Sequence, residues 1–89
     1  MQTLPHIRVE TDEDHVVVRV GDYELFDYVD DCLTEGWSLE SAYLTESVEN
    51  GQRVHSMHYP PSVRQEYVER AVSSLSRDEV ERIWRLNNS

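Results

Sequence analysis

The stretch Gly21–Leu39, GDYELFDYVDDCLTEGWSL, decides the fold because it predicts one amphipathic helix with a defined start and end. Asp22 suits the N-cap, since its carboxylate can accept a hydrogen bond from a free N–H of the first turn. Gly36 suits the left-handed position that commonly ends a helix. Apolar residues recur at spacings of three and four and therefore share one face: Leu25, Phe26, Val29, Cys32 and Leu33.

The opposite face of this helix is acidic. It consists of Glu24, Asp27, Asp30, Asp31 and Glu35, which we call the acidic face. The helix contains no Lys or Arg, so these carboxylates have no partner within it. The simpler interpretation is a solvated surface. The alternative, which we take as the candidate site, is an electrostatic surface that binds a basic partner.

The whole chain is acidic, with 18 Asp and Glu against 8 basic residues, all of them Arg, and a net charge of −10. Affinity for DNA, RNA or anionic lipid comes from cations that neutralise phosphates, so direct binding to these is not expected. Basic protein partners or metal cations are favoured instead. A chain without Lys and rich in Asp and Glu is also typical of a GC-rich genome or of a salt-adapted organism. In strong salt the charge is screened, and the acidity then serves solubility.

The length of 89 residues predicts a single small domain over residues 1–89. The single cysteine, Cys32, cannot form an internal disulfide, and its place on the apolar helix face predicts a buried thiol. The first residues lack the apolar segment of a signal peptide, and no stretch is long and apolar enough to span a membrane. We therefore expect a cytoplasmic protein.

Two hairpins flank the central helix. Residues 7–10 and 15–20 predict the strands of the first hairpin, joined by a turn at 11–14. In the second, Asn50-Gly51 predicts a type I′ turn between a strand from Trp37 to about Ser47 and a strand over 52–59. This turn fixes a register in which Glu49 faces Gln52, and three further opposed pairs share one face: Glu46–His55, Leu44–Met57 and Ala42–Tyr59.

Both faces of the hairpin over residues 37–59 carry large apolar or aromatic groups. The face opposite these three pairs holds Trp37, Leu39, Tyr43, Val54 and His58. Two apolar faces in so short a chain predict a contact with a partner or with a second copy. A homo-oligomer formed through this hairpin is therefore one expectation.

The last third of the chain predicts two helices. Ser62–Gln65 and Ser76–Glu79 each match a capping box, and an apolar stripe accompanies each. The expected inner residues of the last helix are Val80, Ile83, Trp84 and Leu86. The element order is then β-β-α-β-β-α-α, in the α+β class. A four-stranded, mostly antiparallel sheet with the hairpins side by side and the helices packed on one face buries these stripes.

The sequence contains few motifs that are typical of catalytic or ligand-binding sites. The three glycines form no phosphate-cradling loop, and no serine nucleophile elbow is present. His55 and His58 would lie on opposite faces of a strand, so we expect no metal site and no cofactor there. His6 and His15 could face each other across the first hairpin, but two exposed strand histidines are the simpler interpretation. The Glu46–His55 pair could act as a general acid and base, but an exposed cross-strand pair is the simpler interpretation, and no catalytic residue is predicted.

The corner after the helix carries one local likeness. Glu35-Gly36-Trp37-Ser38-Leu39 resembles the E-G-W-x-L step of some small prokaryotic domains of unknown function. The resemblance covers five residues. It implies a helix-to-strand corner with a buried Trp, and it implies no activity.

Three function hypotheses follow. The first is a small interaction or inhibitor protein that presents the acidic face to a basic, nucleic-acid-binding protein, as phage and mobile-element anti-CRISPR or anti-restriction inhibitors do. Asp27, Asp31 and Glu35 would form a stripe with steps of about 6 Å, close to the phosphate spacing of nucleic acid. The second is an uncharacterised housekeeping protein of a salt-adapted cell. The third, which we do not favour, is a small enzyme that uses Glu46 and His55.

Overall fold

A computed structural model describes residues 4–88 of the chain. Its elements follow the predicted order and form one four-stranded antiparallel sheet, β1-β2-β4-β3, so the α+β class is confirmed. The two hairpins lie side by side, as predicted. The elements are β1 (Ile7–Asp12), β2 (His15–Val20), α1 (Tyr23–Trp37), β3 (Tyr43–Glu49), β4 (Gln52–His58), α2 (Gln65–Ser73) and α3 (Arg77–Asn88).

The first hairpin has a tighter turn than the sequence predicted. β1 continues to Asp12, which pairs with His15, so only Glu13 and Asp14 remain in the loop. Glu13 adopts a left-handed φ of 56°. Such a conformation is needed because two-residue loops must match the right-handed twist of the strands that they join.

The second hairpin turns where the sequence predicted. Asn50 and Gly51 have φ values of 52° and 81°, as a type I′ turn requires. The predicted pairs Glu49–Gln52, Glu46–His55 and Leu44–Met57 are confirmed.

The start of β3 was predicted wrongly. The strand begins at Tyr43 rather than Trp37, and Tyr43 opposite His58 is the last pair of the ladder. The predicted Ala42–Tyr59 pair therefore lies outside it, although the Ala42 N–H still donates to the His58 carbonyl at 2.7 Å. The difference arises because α1 extends further than predicted and a loop follows it.

The prediction for the start of α1 is confirmed, but the prediction for its end is wrong. The Asp22 carboxylate accepts a hydrogen bond from the Leu25 N–H at 2.9 Å. The left-handed residue is Ser38, with φ 54°, whereas Gly36 is still helical. Leu39 explains the later end, because its side chain is buried and its N–H donates to the Leu33 carbonyl at 3.0 Å.

The two shorter helices differ in how they start. Ser76 caps α3 as predicted, because the Glu79 N–H donates to its hydroxyl at 3.2 Å. The capping box predicted at Ser62 is not formed. α2 begins at Gln65, and its N-cap residue, Arg64, makes no side-chain hydrogen bond to the helix. The Val63 N–H instead donates to the Pro60 carbonyl at 2.9 Å, which closes a turn before the helix.

One core lies between the sheet and the helices. Alternate strand residues join the buried residues of all three helices in one cluster, whereas Val17 and Val54, which point to the other sheet face, lie outside it. The helices therefore cover one face. The members of the cluster from the sheet and α1 are Ile7, Val16, Val18, Val20, Met57, Leu25, Phe26, Val29 and Leu33.

The inner face of α3 was predicted only in part. Val80 is buried, and Ile83 and Trp84 are half-buried against the core. Leu86 is 69% exposed, so its predicted inner position is wrong. The reason is helical periodicity, because Leu86 follows the buried Val80 by six residues and so lies about 120° around the helix axis from it. Cys32, predicted to be buried, is half-buried beside the same cluster.

Phe26→Ala is expected to cost about 3–5 kcal/mol of unfolding free energy, because it empties a large site in the core. Small domains have about 5–15 kcal/mol in total, so the melting temperature should fall sharply. Phe26 is 7% exposed, whereas Tyr23 on the same helix is 61% exposed. Tyr23→Ala is therefore the matched control and should change stability by much less. Equal melting temperatures of the parent and Phe26→Ala would refute the packing of α1.

Candidate functional site

The acidic face lies on the solvent side of α1. Glu24, Asp27, Asp31 and Glu35 are exposed, and Asp30 is half-buried. Within residues 4–88, none of the five forms an ion pair with an Arg or His side chain. The arginines that are paired lie elsewhere: Arg8, Arg19, Arg53, Arg82 and Arg85.

Like charges within the acidic face repel one another. Asp27–Asp31 and Asp31–Glu35 are spaced four residues apart, and each such pair destabilises a helix by about 0.2–0.5 kcal/mol. Glu35 also lies at the negative end of the helix dipole, and the last turn of α1 has no basic residue to offset it. The acidic face therefore does not contribute favourable charge pairs to the fold.

Asp30 marks the boundary between the acidic face and the core. Burial raises the pKa of its carboxyl, and the charges of Asp31 and Asp27 raise it further, while a hydrogen bond with Thr34 acts in the opposite direction. Burial also raises the pKa of Tyr59, with a smaller contribution from the charge of Asp30. Asp30 is thus the one acidic-face residue whose charge is poorly solvated.

A groove of about 410 Å³ runs between the acidic face and α3. Its α1 side holds Glu24, Asp27 and Asp31, and its α3 side includes Ile83 and the exposed Leu86. Arg82 and Asn87 also line the α3 side, so the groove combines carboxylates on one wall with a mixed apolar and polar surface on the other. Sequence reasoning missed it because Leu86 was assigned to the core.

The sheet face away from the helices, which we call the open face, carries a network of polar side chains. The Arg19 guanidinium donates to Glu10 Oε1 at 2.5 Å and to Ser56 Oγ at 3.1 Å. The Tyr43 ring stacks on the His58 ring, with centroids 4.3 Å apart. These side chains cover the open face, which explains how Val17 and Ser56 are fully buried there.

A histidine cluster lies at one end of the open face. His15 Nε2 is 3.0 Å from His58 Nδ1, and Asp12 lies beside them, with the three ligand-type atoms within 4.8 Å of one another. Sequence reasoning missed this cluster, because it depends on the pairing of β2 with β4. The confirmed turn at Asn50-Gly51 could place His58 on the open face, but it could not place it next to His15.

Two sequence predictions about histidines have different outcomes. His55 and His58 do lie on opposite faces of β4, since His55 contacts Phe26 on the helix side and His58 contacts His15 on the other. The suggested contact between His6 and His15 is not formed. His6 precedes β1 at the opposite end of the hairpin and stacks on Trp84, with ring centroids 4.0 Å apart.

Glu46 and His55 are opposed as predicted, with Oε1 and Nδ1 3.8 Å apart. The same Glu46 oxygen is closer to Arg53 Nη1, at 3.2 Å. Glu46 thus sits between two basic side chains at an exposed edge. The absence of catalytic residues stays a prediction.

The hairpin surface differs from the one predicted. Trp37 and Leu39 do not lie on it: Leu39 is buried in the core, and Trp37 ends α1, half-buried, with its indole N–H donating to Ser74 Oγ at 3.2 Å. The corner implied by the E-G-W-x-L resemblance is therefore a helix followed by a loop. β3 is an edge strand with Tyr43, Leu44 and Val48 exposed. A homo-oligomer through this strand stays a prediction.

Comparison of the chain with protein-family models, curated proteins and solved structures finds no match. None of the helices within residues 4–88 is long and apolar enough to cross a membrane.

Asp30→Asn is expected to raise the melting temperature at neutral pH. Its pKa is raised in the folded state, so the charged form destabilises the fold above that pKa. The penalty declines as the pH falls through the folded pKa and vanishes below the unfolded value of about 3.9. Circular dichroism melts should therefore show a gain at pH 7 that shrinks towards pH 3.

The control is Glu40→Gln, at an exposed position of the loop after α1. It should leave the melting temperature nearly unchanged at both pH values, because surface substitutions usually shift stability by less than about 0.5 kcal/mol. No gain for Asp30→Asn at pH 7, or an equal gain at pH 3, would contradict the assignment of Asp30 to a poorly solvated site.

Proposed function

We propose that this chain is a small inhibitor that binds a basic, nucleic-acid-binding protein through the acidic face of α1 and acts in the cytoplasm. An anti-CRISPR or other anti-defence inhibitor of a phage or mobile element is the class that fits best. The observation that carries the proposal is the set of acidic-face carboxylates that have no ion pair within residues 4–88.

The form of the acidic face favours a partner that normally binds phosphates. Asp27, Asp31 and Glu35 are exposed and follow one another at successive helical turns, with steps of about 6 Å. That spacing is near the separation of phosphates along a nucleic acid strand. A basic groove that holds a nucleic acid backbone would therefore meet a comparable row of negative charges.

The groove beside the acidic face adds apolar surface to the proposed binding site. Charge complementarity contributes mainly to association rate and specificity. Affinity usually depends on a few buried apolar or aromatic anchors. Leu86 and Ile83 on the α3 side of the groove provide apolar surface at the border of the carboxylates. A partner that contacts both walls would bury Leu86, which the fold leaves exposed.

The second candidate is a housekeeping protein of a salt-adapted cell, in which acidity serves solubility. One observation favours it: exposed carboxylates are not confined to α1 and also occur at Asp14, Glu40, Glu66 and Asp78. A protein of this kind gains stability in molar salt, because screening relieves repulsion within the folded chain. A melting temperature that rises with KCl up to molar concentration would favour this second candidate.

Reversal of Asp27, Asp31 and Glu35 to Arg should abolish partner binding without unfolding the domain. A like charge that faces a basic groove costs several kcal/mol, whereas exposed positions tolerate substitution. The probes are purified CRISPR effector complexes and restriction endonucleases, with binding measured by biolayer interferometry and inhibition by DNA cleavage. Binding by the parent should weaken as salt rises, because exposed charges are screened beyond about 10 Å at 0.1 M.

The matched control reverses three exposed acids outside the acidic face, Glu40, Glu66 and Asp78, so both variants have the same net charge. It should bind and inhibit like the parent. Light scattering on the same samples reports whether a second copy, rather than a different protein, occupies the surface. Failure of the parent to bind any probe, or equal loss in both variants, would contradict a specific role of the acidic face.

A further inference from the structure

Three residues that can ligate a metal ion meet on the open face. Asp12 ends β1, His15 begins β2 and His58 ends β4, so two hairpins contribute to the cluster. One ligand-type atom from each lies within 4.8 Å of the other two. His15 Nε2 and His58 Nδ1 are the closest pair, at 3.0 Å.

The second nitrogen of each imidazole has its own partner. His58 Nε2 is 2.7 Å from Thr45 Oγ1, and His15 Nδ1 is 3.5 Å from Asp14 Oδ1. Metal-bound histidines commonly donate their other N–H to a carboxylate or another oxygen, which fixes the tautomer and the ring orientation. With protons on those outer nitrogens, His15 Nε2 and His58 Nδ1 would both be unprotonated and could ligate an ion, which would replace the hydrogen bond that now joins the two rings.

We propose that Asp12, His15 and His58 bind a divalent first-row transition metal ion, of which Zn²⁺ suits the ligand set best. Two imidazole nitrogens and one carboxylate oxygen are typical zinc ligands, whereas Ca²⁺ and Mg²⁺ prefer oxygen. Zinc–nitrogen bonds of about 2.0–2.1 Å place two ligand nitrogens about 3.3 Å apart in a tetrahedral site. The observed 3.0 Å is within a few tenths of an ångström of that separation.

The surroundings of His15 and His58 favour metal binding. His58 is only 5% exposed, so the surrounding side chains hold its ring in place beside His15. Asp12 is exposed, so its carboxylate can rotate to complete the site. The Tyr43 hydroxyl lies 3.4 Å from His15 Nε2, at the edge of the cluster.

A metal ion here would connect the two hairpins at one end of the sheet. Asp12 and His15 flank the turn of the first hairpin, and His58 is the last residue of β4. An ion that binds the folded chain and not the unfolded chain raises the melting temperature in proportion to the logarithm of its concentration. This site is independent of the acidic face on α1.

The test is a titration of EDTA-treated, full-length protein with Zn²⁺ by isothermal calorimetry and with Co²⁺ by visible absorption. The parent should bind one ion per chain, develop Co²⁺ bands that Zn²⁺ abolishes, and melt at a higher temperature with Zn²⁺. His15→Asn should weaken binding by more than about 100-fold, since loss of a ligand exceeds the 10–100-fold cost of an outer partner. Thr45→Val should weaken binding by about 10-fold.

Two controls separate this site from other places that attract cations. His55→Gln removes a histidine on the opposite face of β4, and the triple reversal of Asp27, Asp31 and Glu35 removes acidic-face charge; both should bind zinc like the parent. If His58→Asn fails to fold, His15→Asn and Asp12→Asn decide the result. No one-to-one binding by the parent, or binding that survives His15→Asn and Asp12→Asn, would overturn the proposal.

Discussion

The pairing of β2 with β4 is the interaction on which the rest of this structure depends. Each turn determines the strand pairing within its own hairpin. A single two-stranded hairpin is too narrow to pack stably against a helix. Val18 opposite Met57, both fully buried, joins the two hairpins into one sheet. That junction provides the surface on which the apolar stripe of α1 packs. The same junction determines which side chains meet on the other face of the sheet.

The two faces of the sheet are then used in different ways. The helix side forms the apolar core, and the acidic residues of α1 remain outside it because the helix buries only one stripe. The open face has no helix, and long polar side chains such as Arg19 and Tyr43 cover the residues beneath them. All three helices pack on the same face, and this packing divides the sheet into a covered face and an open face. It leaves two polar surfaces, one acidic and one with histidines, on opposite sides of the molecule.

The sequence predicted the features that depend on interactions between residues close together in the chain. The Asn50-Gly51 turn and its register followed from backbone preferences, and the Asp22 cap followed from hydrogen bonding within four residues. Predictions failed where a distant contact overrides the local signal: burial of Leu39 extends α1 past Gly36. The acidic face could be predicted because helical periodicity alone defines it. The histidine cluster could not, since the sequence does not specify which residue of β2 lies opposite His58.

Nuclear magnetic resonance of isotope-labelled protein tests the β2–β4 junction most directly. Cross-strand nuclear Overhauser effects should connect the backbone protons of Val18 and Met57, and those of Val17 and His58. The Tyr59 amide, which donates to the Val16 carbonyl at 3.0 Å, should exchange slowly with solvent. Cross-strand effects that place β4 beside β1, or two hairpins without mutual contacts, would contradict the sheet order and with it the histidine cluster and the packing of α1.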